Sequence, residues 1–215
     1  MSGLRPSAKK VAKTIVDVLL AADLVAVMAT ALLEEAPHEY LGVALFVLMV
    51  VHVVLNRRYF THLAKGRYTP LRMLQLVAVI GLVACVIGQV ASALVLSKHA
   101  FSFLPAIPGA SWARTVHMLL SYWCFVFAFA HVGLQVKAKL PVWLQIALIA
   151  VACFGVVSYV QLNMAPYLFG QVMFAAADYA SPLALIFARY ASVAVLVAVV
   201  FHYIRVALRK TAKEA

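Results

Sequence analysis

The sequence predicts an all-α membrane protein, a bundle of six transmembrane helices with its N- and C-termini in the cytoplasm. Composition is the first observation behind this prediction, since 66% of the 215 residues are hydrophobic and only 12% are charged. A soluble domain is about half apolar and about a quarter charged, so most of this chain is suited to lipid. The long apolar segments and the distribution of basic residues between them are the other two observations.

Six segments are long and apolar enough to cross the hydrocarbon layer, which takes about 20 helical residues. The first begins with basic residues like a secretory signal, but it is too long for one and contains Asp17 and Asp23, so we expect an uncleaved first span. Residues 97–110 and 163–180, between later spans, are rich in aromatic side chains and predict short helices at the membrane surface. The predicted spans are Val11–Leu33, Glu39–Phe60, Leu71–Leu96, Ser111–Val136, Val142–Leu162 and Ser181–Leu208.

Basic residues lie almost entirely on one side of these spans. Of the 18 lysines and arginines, only Lys98, Arg114 and Arg189 fall on the other side. The positive-inside rule assigns the basic side to the cytoplasm, and with it both termini. Because the charges form short clusters between apolar segments, the net charge of +11 indicates topology rather than a nucleic-acid surface. Membrane lipid is therefore an expected partner and nucleic acid is not.

The three cysteines, Cys85, Cys124 and Cys153, each lie within an apolar segment, and none has the CxxC spacing of a metal or redox site. We predict that they are small core residues rather than disulfides. The sequence has no GxGxxG fingerprint and no Walker motif. Flavin, nicotinamide or nucleotide chemistry would therefore have to come from another protein.

Two pairs of histidines stand inside the apolar segments, and the members of each pair are fourteen residues apart. The second span carries His38 and His52, and the fourth carries His117 and His131. Fourteen residues turn a helix through about 1400°, roughly 40° short of four full turns, so each pair follows one helical face from one membrane surface to the other. Since both spans run from outside to inside, the histidines are expected to face each other at two depths.

Two imidazoles that face each other at each of two depths are the arrangement expected for the axial ligands of two haem irons. Zinc is less suitable, because it takes four ligands and no third ligand is predicted at either depth; four unrelated polar residues bonded between helices are the other alternative. We predict a four-helix core holding two b-type haems. His38 and His117 would hold the outer haem iron, and His52 and His131 the inner one.

Some residues near this core keep more than one interpretation. Gly42 and Gly133 follow ligand candidates closely, where a larger side chain could obstruct a flat macrocycle, and Gly81 and Gly88 form a bare stripe that either a cofactor or a neighbouring helix could cover. His202 could replace an inner ligand, bond a haem propionate, or simply reach the interface. Asp23 could be a protonated carboxyl bonded to a neighbouring helix, or a proton relay in quinone chemistry. His99 could be a solvated histidine, or it could help to bind a partner.

Around the histidines the sequence resembles a family of bacterial integral-membrane dihaem b-type cytochromes of otherwise unassigned function. The motifs read "HEYLG" and "HVVL" in the second span and "HMLLSYW" and "HVGLQV" in the fourth, with a later stretch "MFAAADYASP". The similarity extends from about Val16 to Ala207, and one departure is that Asn56 and Gln135 stand where family sequences often have histidine or tryptophan. More widely, the paired histidines resemble ferric reductases and formate dehydrogenase gamma subunits.

This resemblance implies a multi-pass protein of the bacterial inner membrane, whose whole chain, residues 1–215, forms one dihaem domain. It would transfer electrons between a quinol pool and a partner or acceptor across the membrane, as a quinol-linked or ferric-reductase-like oxidoreductase or as a subunit of one. The alternative is a haem-bearing anchor that docks and wires a separate catalytic subunit. A haem-free transporter would need inverted repeats, whereas the histidines indicate a direct repeat. A quinone and a redox subunit are candidate partners, and no residue is predicted to be catalytic.

Overall fold

Six long helices and two short ones account for most of the residues that the computed structural model describes, which are 8–30, 35–61, 68–105, 107–137, 140–172 and 181–214. These residues contain no strand, which confirms the predicted all-α class for the described part of the chain. The helices are α1 (Ala8–Thr30), α2 (Glu35–Leu55), α3 (Arg58–Thr61), α4 (Pro70–Leu96), α5 (Ala110–Gln135), α6 (Val142–Gln161), α7 (Met164–Leu168) and α8 (Leu183–Glu214).

Five of the long helices, α2, α4, α5, α6 and α8, are long and apolar enough to cross a membrane by length and composition. A multi-pass membrane protein is therefore confirmed. Helix α1 is 23 residues long but carries three lysines in its first two turns, at Lys9, Lys10 and Lys13. Its place as a sixth span and the cytoplasmic position of the termini stay predictions.

The ends of the helices follow local rules. Thr69 caps α4 by accepting a hydrogen bond from the Arg72 amide at 3.3 Å, and Pro70 fills the first helical position, where a missing N–H costs nothing. The prediction of a short helix in residues 97–110 is wrong for the described part of that segment. It forms turns instead, such as the one in which the Leu104 amide donates to the Phe101 carbonyl. In the second aromatic segment a short helix, α7, is present, while residues 173–180 lie outside the described residues.

Helix α5 lies at the centre of the bundle, with α4, α7 and α8 packed on it and α6 packed on α8. The buried core joins its aromatic residues Tyr122, Phe125 and Phe129 to residues of α1 and α8, including Met28 and Tyr190. Tyr122 stacks on Tyr167 of α7 with 4.4 Å between ring centroids. These contacts fix the position of α5 by apolar packing.

The glycines of α4 and α5 serve this packing. A Cβ added at Gly81 or Gly88 would meet side chains of α5, so α5 itself covers the bare stripe. A Cβ at Gly133 would overlap the backbone carbonyl of Ala198 in α8. The interpretation of Gly133 as space for a macrocycle is therefore wrong, because that side of α5 is closed by α8.

Helix α2 stands apart from this centre. It packs along α1, and none of its Cα atoms lies within 8 Å of a Cα atom of α4 or α5. None of its residues is buried. A Cβ at Gly42 would meet nothing within 4 Å among the described residues. The face of α2 that carries the histidines is therefore separated from α5 by an open space.

Candidate functional site

The rings of His38 and His117 meet across the space between α2 and α5. Their centroids are 6.1 Å apart, and the ring planes are inclined at 76°. The backbones of the two helices stay more than 8 Å apart, measured between Cα atoms. The two side chains therefore bridge a gap that helix packing leaves open.

A hydrogen bond fixes the orientation of each of these two rings. Nδ1 of His38 lies 3.1 Å from the Val27 carbonyl oxygen of α1, and because a carbonyl only accepts, Nδ1 carries the proton. Nδ1 of His117 lies 3.1 Å from Oγ of Ser92 in α4. The Ser92 hydroxyl donates to the Gly88 carbonyl at 2.7 Å, so it accepts from His117. In both rings the lone pair is then on Nε2, which is the atom left to bind a metal.

This donor set fits a haem iron with two axial histidines. A metal–nitrogen bond of about 2 Å on each side leaves roughly 6 Å between the centroids of two imidazoles on one ion, as observed for His38 and His117. The described residues contain no group of three or more His, Cys, Asp or Glu side chains that could hold a metal. Two imidazoles alone do not complete a zinc site, whereas a porphyrin supplies the other four ligands of a haem iron.

The inner pair has different surroundings. Nδ1 of His52 lies 2.6 Å from Oδ1 of Asp17 in α1, a short contact of the kind made with charged acceptors. His131 follows His117 by fourteen residues on α5, as His52 follows His38 on α2. Its Nδ1 atom is buried and has no hydrogen-bond partner among the described residues. The predicted partners thus share one end of the bundle, with a carboxylate beside them.

Polar contacts hold the outer end of α2 against the segment that follows α4. The carboxylate of Glu39, next to His38 in the chain, accepts four hydrogen bonds of 2.7–3.0 Å. One turn earlier, Glu35 binds the Lys98 ammonium at 2.7 and 2.8 Å. The donors to Glu39 are the Ser97 hydroxyl and the backbone amides of Lys98, His99 and Ala100.

The inner end of α2 is tied to α1 in a similar way. Lys13 donates to the side-chain oxygen of Asn56 at 2.8 Å, and the Asn56 amide donates to the His52 carbonyl at 2.9 Å. Asn56, which departs from the resembled family's pattern, therefore joins α1 to the turn of α2 that carries a ligand candidate.

A cleft of about 210 Å³ lies between α5, α6 and α8. Most of its lining is apolar, but Gln145, His202 and Tyr203 also line it, and Gly133 places it two residues along α5 from His131. Nδ1 of His202 is buried without a hydrogen-bond partner among the described residues. His202 therefore lines a cleft that the sequence did not predict.

The remaining candidates have no hydrogen bond to the four histidines among the described residues. One carboxylate oxygen of Asp23 is buried without a hydrogen-bond partner in the described part of the chain. His99 is exposed, with its Nε2 4.0 Å from Glu35. Residues 62–67 and 173–180, which include His62 and Asp178, lie outside the described residues.

Apolar helices of this length that carry paired histidines are typical of membrane b-type cytochromes. A family model described as prokaryotic cytochrome b561 matches residues 11–146, which is more than half of the chain and includes all four ligand candidates. The chain belongs to this family, which confirms the predicted class of bacterial membrane b-type cytochrome and with it haem-based electron transfer in the membrane. Comparisons with curated proteins and with solved structures gave no significant match.

Proposed function

We propose that the chain transfers electrons across the bacterial inner membrane through two b-type haems, each held by two axial histidines. The observation that carries the proposal is the pair His38 and His117, with ring centroids 6.1 Å apart and both Nδ1 atoms engaged away from the metal position. His52 and His131 hold the second haem. A bound haem iron takes up and releases one electron, and the protein supplies ligands, orientation and electrostatics.

The residues around each ligand act before any cofactor binds. Val27 and Ser92 fix the tautomer and ring orientation of the outer histidines, as partners of metal-bound histidines do in many proteins. Neutral imidazoles avoid the cost of a charge in lipid.

The six-span arrangement is part of the proposal. Helix α1 packs on α2 and on α8, and it supplies the Val27 carbonyl at one end and the Asp17 carboxylate at the other. These groups are about 15 Å apart along a helix that rises 1.5 Å per residue. Contacts with a ligand candidate in each layer support a first helix that runs across the membrane. Six spans would place both termini on one side, which the basic residues assign to the cytoplasm.

The electron donor or acceptor in the membrane is a quinone. The cleft beside His202 supports this part of the proposal, since apolar walls with few polar groups are typical of small-molecule sites. Its volume of about 210 Å³ exceeds the roughly 150 Å³ of a cavity that holds benzene, so a substituted ring fits. His202 and Tyr203 offer hydrogen bonds to quinone oxygens. The electron partner on the other side is a separate redox protein.

The first test is haem content by visible spectroscopy of the purified full-length chain, comparing the dithionite-reduced with the oxidised state. We expect low-spin b-type bands at two haems per chain, with one haem lost in His117→Ala and one in His52→Ala. His99→Ala, an exposed histidine outside both layers, is the control and keeps both. A chain supplied with haem that binds none would reject the proposal.

The quinone is tested by adding a short-chain quinol to the oxidised protein under argon. We expect the haem bands to appear without dithionite, and His202→Phe, which fills the cleft, to slow their appearance while haem content stays at two. Haems that dithionite reduces but quinol does not would reject the quinone. That result would favour the alternative, a haem-bearing subunit that wires a separate catalytic subunit.

A further inference from the structure

We propose that Asp17 is a positioning residue for His52 and lowers the reduction potential of the inner haem. The inference rests on the proposed function, because it concerns a ligand of one of the two haems. It goes beyond that function in assigning different electronic surroundings to the two irons.

The seam between α1 and α2 brings the carboxylate to the ligand. Along two antiparallel helices, three contacts follow one another: Val27 with His38, Asp17 with His52, and Lys13 with Asn56. The spacing of Asp17 from Lys13 and of His52 from Asn56 is one helical turn in each case. The contact with Asp17 is therefore set by the register of the two helices and not by a chance side-chain rotamer.

Of the four ligand candidates, only His52 has an anionic hydrogen-bond partner among the described residues. His38 is bonded to a backbone carbonyl and His117 to a hydroxyl, while Nδ1 of His131 has no partner in the described part of the chain. The carboxylate accepts the Nδ1 proton at 2.6 Å, which leaves the lone pair on Nε2 and fixes the ring. The other three ligand candidates, which have a neutral partner or none among the described residues, are the comparison for His52.

A carboxylate affects the iron in two ways that act in the same direction. It draws the Nδ1 proton and so makes the imidazole a more basic ligand, and its negative charge stabilises the more positive, oxidised iron. The side chains of Asp17 and His52 are 52% and 30% exposed, so water moderates the effect of the charge. We expect a change of about tenfold in the reduction equilibrium, which is 59 mV for one electron.

The experiment is a potentiometric titration of the full-length, haem-loaded chain with Asp17→Asn, which keeps the shape of the side chain and removes the charge. We expect two haems per chain, one of them about tenfold easier to reduce and the other unchanged. In a His117→Ala background, which lacks the outer haem, the shift should remain. The control is Asp23→Asn on the same helix, which makes the same substitution at a carboxyl group that has no contact with a ligand histidine among the described hydrogen bonds, and it should shift neither potential.

Unchanged potentials in Asp17→Asn with both haems present would overturn the inference, and so would a shift equal to that of Asp23→Asn. If Asp17→Asn loses the inner haem, the charge is tested with Asp17→Glu. If Asp17→Glu keeps the inner haem at its original potential, the inference is supported. If the inner haem of Asp17→Glu becomes about tenfold easier to reduce, the inference is overturned. A native chain without haem would reject the proposed function instead, which keeps the two failures distinguishable.

Discussion

Helices α5 and α2 carry equivalent histidines but are held in place by different forces. Helix α5 is packed on three sides and has seven buried residues, whereas α2 has none. Helix α2 packs along α1, and polar contacts hold its two ends against their surroundings. One wall of the cofactor space is thus fixed by apolar packing, and the other by a few hydrogen bonds and by α1.

This difference separates folding from cofactor binding. A change on α5 disturbs the packing that every other helix depends on, so it should destabilise the whole protein. A change at the ends of α2 should leave the bundle folded and move only the histidines of that helix.

The largest effect is expected at Gly133. Gly133→Ala places a methyl group against the Ala198 carbonyl of α8, and because the obstacle is backbone the helices must separate, at a cost of about 3 kcal/mol. Gly42→Ala on α2 meets no atom within 4 Å among the described residues and should raise stability slightly, by about 0.5–1 kcal/mol, because alanine favours a helix more than glycine does. Thermal unfolding in detergent measures both. Equal effects at the two glycines would contradict the difference between the helices.

A smaller effect, confined to one haem, is expected at Glu39. Glu39→Ala leaves the Ser97 hydroxyl and three backbone amides without their acceptor, and the His38 end of α2 should move away from the segment that follows α4. We expect the outer haem to be lost to an excess of a haem-scavenging protein about tenfold faster, which corresponds to roughly 1.4 kcal/mol, while the inner haem and the unfolding temperature stay nearly unchanged.

Glu35→Ala is the matched control for Glu39. It removes a carboxylate one turn away that binds Lys98, but both side chains of that pair are more than 60% exposed, and exposed ion pairs contribute little. Haem loss in Glu35→Ala should therefore match the native rate. If both variants lose the outer haem equally fast, the charge at this end of α2 matters and the hydrogen bonds of Glu39 do not.

The sequence predicted the parts of this arrangement that depend on a single helix. Spacing of fourteen residues places His38 and His52 on one face whatever else packs there, and apolar length gave the bounds of α4, α5 and α6 to within about one residue. The end of α2 at Leu55 rather than Phe60 was missed, because the turn through Asn56 and Arg57 is followed by a separate short helix.

The sequence could not predict which residues surround the four histidines proposed as ligands. Asp17, Ser92 and Glu39 act through contacts whose register depends on how two helices pack, and neither periodicity nor composition contains that register. The prediction for Gly133 was wrong for the same reason, since the choice between cofactor and α8 depends on where α8 lies. One signal was present for Glu39 and Asp17: a charged residue in or beside an apolar span has to find a partner.

The smallest effect is expected at the inner tie between α1 and α2. Lys13→Met removes the hydrogen bond to Asn56 but keeps the apolar part of the side chain, and the contact of Asp17 with His52 remains. A hydrogen bond of this kind at a half-buried site contributes about 1 kcal/mol. The inner haem should therefore leave the protein no more than about fivefold faster, with the outer haem unaffected.

The control is Lys10→Met, which removes the same charge from an exposed position on the same helix and should leave both rates unchanged. Complete loss of the inner haem in Lys13→Met would mean that this single contact, rather than the whole α1–α2 seam, holds the inner end of α2.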